Sequence, residues 1–249
     1  MSASVEELRQ VVLSSLRKAE EAAIEMRLDE GGKVAKSMVK DLPRFRTFTL
    51  GSGATAWGAI LFVDLRESTK RALKIGPKKT YLTMHALLPA LAFAVEQYGG
   101  YVVGFRGDGL FAIFGLNESG YNENPFDQGK VIAQACSCGQ WMIEAVAKVV
   151  NPALEERSCA GNLHIGIGVD SGTVVVTKIG FLYADEVTAY GDSVNAAAKI
   201  SNASNNNVIV SEEVDRLFPT SKSGTVKANP VPGHPSFREI VFPNSLMRE

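Results

Sequence analysis

The sequence predicts an α+β fold in which helices cover a mixed sheet. Three observations carry this. A wholly apolar run, Ala59-Ile-Leu-Phe-Val63, stops at Asp64, as a strand buried on both faces does. Two strand-like runs, 101–106 and 110–114, flank Gly107-Asp108-Gly109, whose composition is that of a β-hairpin turn. Stretches of helical periodicity, 80–98 and 126–150, separate these runs from further short apolar segments.

In chain order, residues 5–40 carry helix formers and charges of both signs. Val5, Leu8, Val12, Leu16 and Ala19 recur at three- and four-residue steps, which predicts an amphipathic helix. Ser4 followed by Glu7 has the form of a capping box. The apolar face of this helix suits either the domain itself or a second chain. Residues 41–54, with Pro43 and Gly51-Ser52-Gly53, read as a connector, so residues 1–50 form a helical extension and 51–249 the main domain. Gly99-Gly100 stops the helix that begins at Thr80. Residues 164–169 and 172–177 read as two strands, and 193–203 as a helix of small residues opened by Gly191-Asp192. A strand at 208–210 and a short helix at 212–218 follow. The Pro- and Gly-rich end is expected to form a loop and one last strand, 237–242.

Composition narrows the function classes. The 249 residues are 45% hydrophobic and 21% charged, with a formal net charge of −1. That balance argues against general nucleic-acid binding, which needs a strongly basic face. No apolar run approaches the roughly 18 residues of a membrane span, and Met1-Ser2-Ala3-Ser4-Val5 lacks the pattern of a secretory leader. The expected location is cytoplasmic, with no direct membrane association. Cys136, Cys138 and Cys159 make no disulfide framework and read as buried thiols. The scattered His85, His164 and His234 leave no zinc pattern.

Two carboxylates stand at strand ends, Asp64 after the first apolar run and Asp108 in the hairpin turn. Brought to one sheet edge, they offer hard oxygen ligands for Mg²⁺ or Mn²⁺ with a polyphosphate. Taken alone, Asp108 is equally an ordinary turn residue. After Asp64 come Arg66, Ser68 and Thr69 and then a helix start, where free backbone N–H groups favour anions; taken alone, this is equally a polar helix cap.

Together these motifs resemble the catalytic domain of class III adenylate and guanylate cyclases. Phe62-Val63-Asp64-Leu65-Arg66-Glu67-Ser68-Thr69 looks like their metal-binding strand and phosphate loop. Gly99-Gly100 through Gly107-Asp108-Gly109 to Gly115 resembles their second motif. Gly166-Ile-Gly168-Val-Asp170-Ser-Gly172-Thr-Val174 is similar to their central β-hairpin, and Tyr190-Gly191-Asp192-Ser193-Val194-Asn195 through Lys199 to their transition-state helix. The resemblance implies a ferredoxin-like βααβ core and a homodimer with composite sites. It implies two ions, Mn²⁺ or Mg²⁺, held by Asp64, Asp108 and the Leu65 carbonyl. Phe62, Arg66, Ser68 and Thr69 would line the substrate, Asn195 would orient the ribose from the partner subunit, and Lys199 would serve the transferring phosphate.

The chain also departs from the family pattern. The adenine-reading Lys position is Gly104, and the second base-reading position is Thr188. Arg106 lies two residues beyond Gly104, so on a strand both face the same way. Its fork of donors suits carbonyl acceptors, although it is equally a surface or phosphate-facing charge. In this the chain resembles the stand-alone pyrimidine cyclases of Pycsar antiphage defence, which implies UTP, or less readily CTP, as substrate. A purine cyclase with an atypical pocket and a catalytically silent cyclase-homology module are the competing readings. Lys199 stands where the family usually has Arg, which keeps the charge and loses the bidentate fork.

Overall fold

The computed structural model describes residues 4–25, 49–116, 125–181, 184–218 and 226–247. Its centre is an eight-stranded sheet. The strands are β1 (Gly53–Leu65), β2 (Tyr101–Arg106), β3 (Gly109–Phe114), β4 (Ile165–Phe181), β5 (Ala184–Tyr190), β6 (Val208–Ser211), β7 (Lys227–Val231) and β8 (His234–Val241). They lie in the order β2-β3-β1-β4-β6-β8-β7, with β5 paired to β4. The β4–β6 pair is parallel and the others are antiparallel, so the sheet is mixed.

The alternation of β1 explains its unbroken apolar sequence. Ala59, Leu61, Val63 and Leu65 point into the larger core cluster. Ala56 and Ile60 point into a second cluster on the opposite face, with Phe111, Val174 and Val176. Three helices cover the first face: α1 (Val5–Glu25), α2 (Ser68–Gln97) and α3 (Pro125–Ala145). Past α3 the chain continues through a π-helical turn at Val146–Val150 into α4 (Asn151–Glu155), so the helix foreseen as ending at residue 150 runs further. On the second face lies α5 (Asp192–Asn202), and α6 (Glu212–Leu217) follows β6.

The amphipathic N-terminal helix belongs to this domain. Leu8, Val12 and Leu16 are fully buried in the larger core. Ser4 and Glu7 form the foreseen capping box, with reciprocal hydrogen bonds of 3.0 and 3.1 Å. Residues 26–48, which hold the rest of the foreseen helix and most of the connector, lie outside the described residues.

Three expectations change. The helix foreseen from Thr80 begins at Ser68 and is interrupted at Gly76, where φ is 78° and ψ 170°. Only glycine adopts that conformation cheaply, and Pro77 then starts the second segment without needing a donor. The two strands foreseen at 164–169 and 172–177 are one: residues 165–177 belong to the 17-residue strand β4, paired with β1 from Gly53↔Thr177 to Leu65↔Ile165. Its glycines serve close packing instead: a Cβ on Gly168 would meet the Ala197 carbonyl at 2.2 Å and the Ser201 amide at 2.3 Å. The hairpin partner is β5, and the C-terminal segment forms a β7–β8 hairpin where one strand was foreseen.

If α1 is part of the core, Leu16→Ala should destabilise the chain by about 2–5 kcal/mol, the usual cost of emptying a buried leucine site. Urea unfolding measures this; an unchanged midpoint would place α1 outside the cooperative unit.

Candidate active site

The hairpin tip is pressed against the end of β1. Arg106 pairs with Gly109 across a two-residue turn, and Gly107 takes φ 63° there, as primed hairpin turns require of their first central residue. A Cβ on Gly109 would meet the Val63 carbonyl at 2.1 Å and Asp64 Cα at 3.0 Å. Without that Cβ, Asp108 comes beside Asp64, close enough for its charge to act on the Asp64 carboxyl.

Burial pushes the Asp64 acid up, the Asp108 charge adds to this, and Arg66 opposes both. Arg66 Nη2 donates to Asp64 Oδ2 at 2.6 Å, and its Nη1 donates to the Asn202 carbonyl at the end of α5 at 3.4 Å. The guanidinium rests on Gly166, where a Cβ would meet Arg66 Cζ at 2.8 Å. Arg66, expected to line the substrate, therefore braces Asp64 and is not among the residues that line the adjoining cavity. The other oxygen-rich position is open, since Asp108 Oδ2 is buried without a hydrogen-bond partner.

An orphaned acceptor beside a second carboxylate fits a divalent cation. No group of three or more His, Cys, Asp or Glu side chains gathers into a metal cage among the described residues. Two carboxylates completed by backbone carbonyl and substrate phosphates suit Mg²⁺ or Mn²⁺ better than Zn²⁺. Asp64, Asp108 and the Leu65 carbonyl are the groups that would hold them.

Beside the carboxylates lies a cavity of about 660 Å³. Leu65, Ser68, Thr69, Gly107 and Asp108 line one side, and the first turn of α2 opens onto it. Glu67 precedes that helix in a left-handed conformation, φ 54°. It pairs with Lys70 at 2.6 Å on the exposed surface.

A second set of predicted residues meets on the β1 face that Asp64 shares with Phe62 by strand alternation. Phe62 stacks on Phe111 with centroids 5.1 Å apart and planes 7° from parallel. The Arg106 guanidinium lies 5.3 Å from the Phe111 ring centre. It folds back over Gly104, occupying the space a side chain there would take, with Nη1 3.5 Å from the ideal Cβ position. Arg106 Nη2 donates to Thr188 Oγ1 at 3.1 Å and Nη1 to Glu186 Oε1 at 3.4 Å. Glu186 was missed in the sequence; its signal is its position two residues before Thr188 on the same strand, hence on the same face.

Asn195 and Lys199 are exposed, one turn apart on α5, and neither lines the carboxylate cavity of its own chain. Lys199 borders a smaller cavity of about 340 Å³ with Ser211 and Glu212. The three cysteines are buried free thiols. No helix among the described residues is long and apolar enough to cross a membrane.

A paired-carboxylate edge beside a helix start, on a mixed sheet, is what the resemblance to class III cyclases implies, and comparison with known proteins shows the family. The chain belongs to the adenylate and guanylate cyclase catalytic domain family, whose model matches residues 55–234. It is 26% identical over 183 residues to an adenylate cyclase of Anabaena cylindrica, covering 72% of this chain and 34% of the relative. It is 26% identical over 172 residues to a cytidylate cyclase of Escherichia coli, covering 68% and 36%. With a uridylate cyclase of Rhodovulum sp. (strain MB263), identity is 24% over 159 residues, covering 61% of each. The chain thus spans about a third of the first two relatives and under two thirds of the third. Among solved structures, the adenylyl cyclase CyaB from P. aeruginosa superposes with a TM-score of 0.62 at 20% identity, covering 76% of this chain and 96% of that one. The guanylyl cyclase Cya2 gives 0.59 at 22%, covering 77% and 92%. At these identities the structures speak for the fold.

The raised Asp64 acid has a consequence for stability. A carboxyl whose folded pKa lies above its unfolded value disfavours folding once the pH exceeds the unfolded value and both states ionise. Asp108→Asn removes the repelling charge. At neutral pH in EDTA this variant should therefore melt above the parent chain, lose the thermal shift given by Mn²⁺, and lose turnover by at least about 10²-fold. An Mn²⁺ shift equal to that of the parent chain would show that Asp108 is not a ligand.

Proposed function

We propose that the chain is a homodimeric nucleotide cyclase that closes a pyrimidine nucleoside triphosphate, UTP before CTP, into its 3′,5′-cyclic monophosphate. The ribose 3′-oxygen attacks the α-phosphorus, gives up its proton, and pyrophosphate leaves. Two Mg²⁺ or Mn²⁺ ions held by Asp64, Asp108 and the Leu65 carbonyl would supply the acidity of the 3′-hydroxyl and neutralise the triphosphate. Ser68, Thr69 and the free N–H groups at the start of α2 would take the phosphates. Asn195 and Lys199, which are exposed and do not line their own chain's cavity, would reach the partner subunit's site, orienting the ribose and countering charge on the transferring phosphate.

The observation that carries the base assignment is the Arg106 guanidinium over Gly104, pinned by Thr188 and Glu186. A guanidinium so placed would leave less depth for a purine and offer donors to a smaller base. Uracil presents two carbonyl acceptors to such a group, whereas cytosine replaces one with an amino donor. Glu186 adds an acceptor that suits uracil N3–H and the cytosine amino group alike. The curated uridylate and cytidylate cyclase relatives support this reading. The adenylate cyclase relative favours a purine substrate in an atypical pocket as the second reading. The facing carboxylates weigh against a silent module, since an unused like-charge pair would cost stability. A second-messenger role in antiphage defence belongs to the same proposal and rests on the resemblance alone.

The test is product analysis. Purified chain with each of the four ribonucleoside triphosphates and Mn²⁺ should yield mainly cyclic UMP or cyclic CMP by mass. Arg106→Ala should reduce the preference for pyrimidines over purines about tenfold or more, the loss of roughly one good hydrogen-bonded contact. Cyclic AMP or cyclic GMP as the main product of the parent chain would end the pyrimidine reading.

A further inference from the structure

The cavity beside the carboxylates has an ion balance that the predicted residues do not account for. It already carries Asp108, with Asp64 adjacent, and under the proposed function it receives a triphosphate and releases pyrophosphate. Among the described residues that line it, Arg71 is the sole cation. Lys70 is not an alternative: its side chain is 79% exposed and paired with Glu67.

Arg71 is also built into place. It sits in the first turns of α2 with a half-buried side chain. Its Nη2 donates to the Cys159 carbonyl at 2.6 Å and closely to the Ala160 carbonyl. Those carbonyls belong to a loop in which Ser158, Ala160 and Asn162 all take positive φ without being glycine, so backbone strain accompanies the arrangement. The loop is held from two other sides, by Lys79 to the Ser158 carbonyl at 2.7 Å and by Arg157 to Glu20 of α1 at 2.9 Å. One group remains unspent: Arg71 Nε is buried without a hydrogen-bond partner. A guanidinium on a side chain that lines the cavity, held from behind by two backbone carbonyls, is oriented in advance for an anion.

We infer that Arg71 binds the terminal phosphates of the substrate and the pyrophosphate leaving group. This rests on the cyclase reading and is independent of which base is preferred. It assigns Arg71 to the part of the ligand that the cyclic product lacks, and that separates a phosphate ligand from a purely structural tie.

The experiment is calorimetric titration of the full chain and its Arg71→Gln and Arg71→Lys variants, with Ca²⁺ in place of the catalytic metal. The probes are inorganic pyrophosphate, UTP, CTP, ATP and 3′,5′-cyclic UMP. Arg71→Gln should weaken pyrophosphate and the preferred triphosphate at least tenfold and leave the cyclic nucleotide within twofold. Arg71→Lys, which keeps the charge without the fork, should fall between. Should Arg71→Gln fail to fold, a several-fold weakening of pyrophosphate by Arg71→Lys, with the cyclic nucleotide unchanged, supports the assignment. Equal weakening of every probe, or unaltered pyrophosphate affinity, overturns it. A parent chain that binds no triphosphate overturns both this inference and the cyclase reading. A parent chain that prefers ATP contradicts only the base assignment.

Discussion

The missing side chain of Gly109 sets the chemistry of this chain. Because nothing stands between the hairpin tip and the Val63 carbonyl, Asp108 settles against Asp64 and two like charges share one sheet edge. Such a pair is unfavourable by itself, and burial makes it more so. Arg66 offsets part of this at one carboxylate, while one buried Asp108 oxygen stays without a partner and adds to the cost. Under the proposed reading, divalent cations would relieve both.

The same economy of side chains recurs along β4. Gly166 makes room for the Arg66 guanidinium, and Gly168 lets the backbone of α5 lie directly on the strand. Arg66 in turn touches the last carbonyl of α5 and Asp64, so the helix that carries Asn195 and Lys199 is tied to the carboxylate edge of its own chain. Asp108, the start of α2 and Arg71 line a cavity at this edge, while Asp64 shares its face of β1 with Phe62, which stacks on Phe111 beside Arg106, Thr188 and Glu186.

Much of this was legible in the sequence where a local signal existed. The apolar run ending in Asp64, the Gly-Asp-Gly turn, and the facing of Gly104 and Arg106 follow from strand periodicity and turn chemistry, and each is found. Strand β4 was read as two strands because glycine marks both strand ends and close packing, and only the helix lying on it decides which. The tie that Arg66 makes between Asp64 and α5 was likewise invisible, since Asn202 is 136 residues away. Strands β5 and β7 escaped because their sequences, Ala-Asp-Glu-Val-Thr-Ala-Tyr and Lys-Ala-Asn-Pro-Val, lack a clear apolar alternation. Arg71 sits in an ordinary-looking helix start, and its orphaned Nε emerges only from tertiary packing.

The central claim is that this edge collects two divalent ions. Crystals grown with Mn²⁺ and a non-cyclising triphosphate analogue, measured at the manganese absorption edge, address it most directly. The account predicts two anomalous peaks about 3.5–4 Å apart, both within coordinating distance of Asp64 and at least one of Asp108. A single peak, or manganese bound away from these carboxylates, would contradict it.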